Sequence, residues 1–110
     1  MSVDQTDVVD AIGTDPTSGA VVLTIFDHLP WEDIHLWLLK EKVKSYLGFL
    51  ASGDVYRTYP GAAGRKFEIS LALLHRPDEA YLTLLQQIEV VVTSAGYVFR
   101  FGPLPSGYAT

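Results

Sequence analysis

Asp27, His28, Glu32 and His35 lie close together in one short stretch of this chain. A carboxylate beside an imidazole can orient a general base, and His28 with His35 could share a metal. A metal site needs three or four ligands, and no third is evident at a matching spacing, so no metal is expected. Asp27 and His28 stand where a strand gives way to a helix, a common place for sites in parallel sheets. The structural alternative is that both satisfy backbone donors at the helix start. A second candidate, Tyr59 to Arg65, contains Gly61 and Gly64 and runs into Arg65-Lys66. Such a loop can cradle a phosphate or carboxylate. It lacks the phosphate-loop spacing and the Lys-Ser/Thr that would bind nucleotide and magnesium. The alternative is a turn packed by Tyr59. No serine has a nucleophile-elbow context. The ligand-binding candidates are therefore Asp27, His28 and Arg65, with no catalytic residue and no cofactor implied.

The elements that must position these residues follow from period and punctuation. Pro30 to Gly53 reads as one long amphipathic helix. Pro30 or Trp31 opens it, Glu32 and Asp33 favour the positive end of its dipole, and Gly53 stops it. Leu36, Leu39, Val43, Tyr46 and Leu50, with Leu47 beside them, form its inward stripe. That places His35 about 60° off the stripe. Val8 to Ile12 predicts a short edge strand weakened by Asp10. A dense turn cluster at 13–19 leads to Ala20–Phe26, a strand rich in β-branched residues. Asp54 to Arg65 is a connection without predicted structure. Lys66 to Leu73 alternates, with Phe67, Ile69, Leu71 and Leu73 inward, so the sheet is covered on one face only. Pro77, Asp78 and Glu79 open a second helix, whose stripe is Tyr81, Leu84, Leu85, Ile88, Val91, Val92 and Ala95. Gly96 closes it, and Tyr97 to Phe101 alternates as a last strand. Glu68, Ser70 and Arg100 share the open face, which suggests a cross-strand charge pair.

The order is ββαβαβ. A helix between two strands calls for parallel neighbours joined by crossovers. The economical solution is an α+β two-layer sandwich: a four-stranded mixed sheet with two helices on one face.

Composition narrows the functional classes. The chain has 110 residues, enough for one domain with one core. That domain is expected to fill residues 1–110, with an ordered core at about 7–102. Its 48% hydrophobic content argues against disorder. No apolar run reaches the roughly 18–20 residues of a membrane span, and the acidic opening Met1–Asp7 lacks a secretory pattern. Cysteine is absent, which removes disulfides and thiolate sites. A cytoplasmic protein is expected. The formal net charge is −5, and seven acids (Asp4, Asp7, Asp10, Asp15, Asp27, Glu32, Asp33) precede the first basic residue, Lys40. That distribution opposes nucleic-acid binding and suits a basic protein partner, or merely keeps a small domain in solution.

One feature of the long helix exceeds what a sheet can cover. With Leu36 at zero, the inward stripe spans about 280° through 20°, while Ile34, Trp37, Leu38 and Phe49 fall between about 100° and 220°, with Trp31 there too. The first half of the helix is thus apolar nearly all round, where a helix on one sheet should have a wet outer face. The second helix and the sheet edge can absorb some of these residues. The rest suggest an association surface of Trp31, Ile34, Trp37 and Leu38.

Three segments carry a resemblance: Val3–Gly13, Asp27-His28-Leu29-Pro30-Trp31 and Tyr59-Pro60-Gly61-Ala62-Ala63-Gly64-Arg65. In them the chain resembles a group of small bacterial single-domain proteins catalogued only as a domain of unknown function. The resemblance implies a bacterial protein and brings no catalytic residues. The functional expectation is a non-enzymatic interaction domain that forms a homodimer, with a possible further protein partner. The alternative is a small-ligand-binding or catalytic domain with its site near Asp27, His28 and Arg65.

Overall fold

The computed structural model describes residues 9–103. Its strands are β1 (Ala11–Thr14), β2 (Val21–Asp27), β3 (Phe67–Leu73) and β4 (Val98–Pro103). Its helices are α1 (Asp33–Ala51), α2 (Asp54–Thr58) and α3 (Glu79–Ser94), with a 3-10 turn at Pro60–Ala62. The sheet order is β1-β2-β3-β4. β1 is antiparallel to β2, while β2–β3 and β3–β4 are parallel. Helices α1 and α3 are the two crossovers, so the ββαβαβ order and the mixed sheet stand as expected.

Alternation along the central strands decides which face is covered. Val21, Leu23 and Ile25 of β2 and Phe67, Ile69, Leu71 and Leu73 of β3 are buried. They join Leu39, Val43, Tyr46 and Leu50 of α1 and Leu85, Ile88 and Val92 of α3 in one core cluster. Both helices therefore lie on the same face. On the other face Arg100 Nε reaches Glu68 Oε1 at 3.2 Å.

The helix stops work as their residue types dictate. Gly53 (φ 85°) and Gly96 (φ 94°) sit just past α1 and α3 in the left-handed region, which glycine enters without steric cost. Asp78 caps α3 by accepting a hydrogen bond from Tyr81 N at 3.1 Å.

Several boundaries and faces differ from the sequence reading. The first strand is Ala11–Thr14 rather than Val8–Ile12 (Val8 lies outside the described residues), because Asp10 turns its carboxylate inward. Helix α1 begins at Asp33, since Trp31 and Glu32 are taken up by a bend. The connection from Asp54 contains α2 and the 3-10 turn. Val91, 57% exposed, and Ala95 leave the stripe of α3. Val91 lies with Lys40, Lys44 and Leu47 along the outer groove between α1 and α3, and Ala95 is the C-cap that follows the helix.

The largest correction concerns α1. Its buried residues are His35, Leu39, Lys42, Val43, Tyr46 and Leu50. His35 is thus in the core at 1% exposure. The buried stripe is centred roughly 40° from the purely apolar one, because it includes a histidine and a lysine.

Candidate functional site

At the C-terminal end of β2, Asp27 ends the strand with its side chain on the buried face. His35 lies in the first turn of α1, close above it. Its Nε2 is 2.5 Å from Asp27 Oδ2, and its Nδ1 is 2.9 Å from the Pro30 carbonyl oxygen. A carbonyl only accepts, so Nδ1 donates, and a single proton lies between Nε2 and the carboxylate. Neither ring nitrogen is left for a substrate or a metal. Asp27 Oδ1 accepts from Leu29 N at 3.2 Å, closing a turn rather than capping the helix. His28 is exposed and takes no part in the pair.

Trp31 roofs this pair. Its ring stacks on His35 with centroids 4.1 Å apart, and lies 4.9 Å from Tyr81. Its indole Nε1–H donates to the His75 carbonyl at 2.9 Å. The pair therefore fastens the start of α1 to the end of β2, and through Trp31 to the approach and first turn of α3.

A second buried pair went unseen in the sequence reading. Lys42 Nζ, fully buried, lies 2.7 Å from Asp10 Oδ1. Asp10 Oδ2 accepts from Phe26 N at 2.9 Å, beyond the last strand pair Ala11↔Thr24. The carboxylate thus replaces the missing strand partner. Tyr46 completes the group: its hydroxyl accepts from Asp10 N and donates to the Thr24 carbonyl, both at 2.8 Å. Burial pushes that hydroxyl well above its usual range. The available signal was a pair of misfits, an acid at the edge of an apolar stretch and a lysine between Leu39 and Tyr46. Each misfit required the other.

Arg65 stands at the opposite end of the sheet. The β2–β3 register runs from Val21↔Phe67 to Asp27↔Leu73, about 20 Å of strand at roughly 3.3 Å per residue. Asp27, His28 and Arg65 are therefore not brought together. The Arg65 guanidinium donates to the carbonyls of Gly61 (3.0 Å) and Gly19 (2.9 Å), tying two loops of its own chain. Tyr59 is half-buried with its hydroxyl 2.7 Å from Thr14 Oγ1, so this loop is a packed turn. Among the described residues, no three His, Asp or Glu side chains are grouped to hold a metal. No helix there is long and apolar enough to cross a membrane.

The other residues singled out in the sequence lie on or before α1. Ile34 is 58% and Trp37 57% exposed, both on the side away from the sheet. Leu38 is half-buried, as is Trp31, whose ring is engaged as described.

Comparison with known proteins adds one fact. No curated protein and no solved structure matches this chain. The profile of a family of unknown function, DUF6572, matches residues 1–104, and the chain, a small α+β domain with two buried acid–base pairs under α1, belongs to that family.

Proposed function

We propose that this chain is a bacterial, cytoplasmic, non-enzymatic interaction domain that forms a homodimer through the outer face of α1. The observation that carries this reading is the exposure of Ile34 and Trp37 on a helix whose opposite side is fully packed. Burying such side chains stabilises by roughly 1.5–3 kcal/mol each, and a two-fold contact lets each copy cover the same residues of the other. Leu38 borders the patch. Trp31 supports it from below, because its stacking on His35 holds the first turn of α1 in place.

The chemistry elsewhere is in keeping with this reading. The Asp27–His35 and Asp10–Lys42 pairs are closed on themselves and serve to hold α1 rigidly on the sheet. A rigid helix presents a surface without an ordering cost. The charge of −5 disfavours nucleic acid, and the cysteine-free composition suits a reducing compartment.

The test is Trp37→Glu, which places two charges in the contact. A folded monomer with an unchanged far-ultraviolet spectrum is the expected product. An unfolded variant would show that Trp37 belongs to the core.

A further inference from the structure

The outward side of α1 has a period of its own. Ile34, Trp37, Glu41, Lys44, Gly48 and Ala51 recur at gaps of three and four in strict alternation, the spacing of a helix–helix seam. At 100° per residue, this seam is centred about 180° from the buried stripe. Five of its residues are exposed and Glu41 is half-exposed.

The seam is asymmetric end to end. Its first positions are large (Ile34, Trp37), its last are small (Gly48, Ala51), and its middle holds one acid and one base. In two antiparallel copies of a helix, each residue faces the one at the mirror position about the crossing point. A crossing level with Lys42–Val43 sets Trp37 over Gly48 of the second copy and Ile34 over Ala51. The same crossing sets Glu41 against Lys44 of the second copy, twice by symmetry. One register thus matches size with size and charge with charge.

Two further facts favour a second copy over another occupant. Gly48 lies inside α1, where glycine costs stability relative to alanine. Yet its φ is not positive, and a Cβ there would meet nothing within 4 Å. The fold of one chain has no need of that glycine; a tryptophan ring laid across it does. Among the described residues, neither Glu41 nor Lys44 has an ion-pair partner.

We infer that two copies pack α1 against α1 antiparallel, with Trp37 of each over Gly48 of the other and Glu41 paired with Lys44. This inference rests on the self-association proposed above and adds its register and orientation.

A charge-swap series read by sedimentation equilibrium tests it. Glu41→Lys and Lys44→Glu each turn two opposite-charge contacts per dimer into two like-charge ones. Each should raise the dimer Kd about tenfold, and the double variant should return it to within about twofold. Gly48→Leu fills the seat of Trp37 and should yield a folded monomer. A wild-type dimer whose single swaps are neutral, whose double swap is not restored, or whose Gly48→Leu variant stays dimeric overturns the register but leaves self-association standing. A wild type that stays monomeric at tens of micromolar overturns both.

Discussion

Replacing Lys42 with methionine should be among the most damaging single changes available outside the apolar core. The side chains of Lys42 and Asp10 are both fully buried and 2.7 Å apart. Methionine keeps the aliphatic bulk but strands the Asp10 carboxylate in the interior. The Phe26 N–H at 2.9 Å stays as a donor to it. Breaking a buried pair by removing one partner costs about 3–5 kcal/mol. A domain of this size has only about 5–15 kcal/mol in total, so Lys42→Met should lower the melting temperature by on the order of 15 °C. The damage should arise from the orphaned charge rather than from a lost attraction. Asp10→Asn in the same chain removes that charge while its amide oxygen still accepts from Phe26 N. The double variant should therefore be more stable than Lys42→Met alone, by roughly 1–2 kcal/mol. Urea unfolding followed by tryptophan emission measures both. A loss below about 1 kcal/mol for Lys42→Met, or a double variant worse than the single, would refute the reasoning.

Three other perturbations probe the remaining polar groups. His35→Ala leaves Asp27 with Leu29 N and no imidazole. It should cost about 3 kcal/mol and shift Trp31 emission, measured in a Trp37→Phe background; unchanged emission would contradict the stacking. Zinc or nickel should move the melting temperature by less than about 1 °C, since both nitrogens of His35 are engaged, and a strong metal-dependent rise would oppose this. Tyr46 is held neutral: its hydroxyl titrates above the ordinary 10.0, so its stabilisation is complete below about pH 10 and is lost as pH rises beyond it. Tyr46→Phe should lose about 1–3 kcal/mol near neutrality yet show a shallower alkaline decline. Parallel alkaline slopes for the two proteins would contradict the assignment.

The sheet and both long helices were legible because their signals were redundant. In β2, β-branched residues and alternation agree, and in α3 an N-terminal Asp78 and a C-terminal Gly96 bracket a single period. The site was less legible for a physical reason. Apolar periodicity counts only apolar residues, so it sets His35 off the stripe and gives Lys42 no place in it. Their burial depends on Asp27 and Asp10, partners eight and 32 positions away, and the chain can specify such partners only through the fold. The pairing of Asp27 with His28 and Arg65 failed for the complementary reason. His28 is adjacent in sequence but points outward, while Arg65 belongs to the far end of the neighbouring strand. Val91 shows the limit on the other helix: the period puts it in the stripe, but it lies in the outer groove between α1 and α3, where neither helix covers it.

The most direct measurement of the central claim is the mass of the wild-type chain in solution. Light scattering at tens of micromolar should return twice the 12.1 kDa of one chain, falling to one chain's mass in Trp37→Glu. A wild type of 12.1 kDa at that concentration would contradict the account, because Ile34 and Trp37 would then stand in water with nothing to cover them.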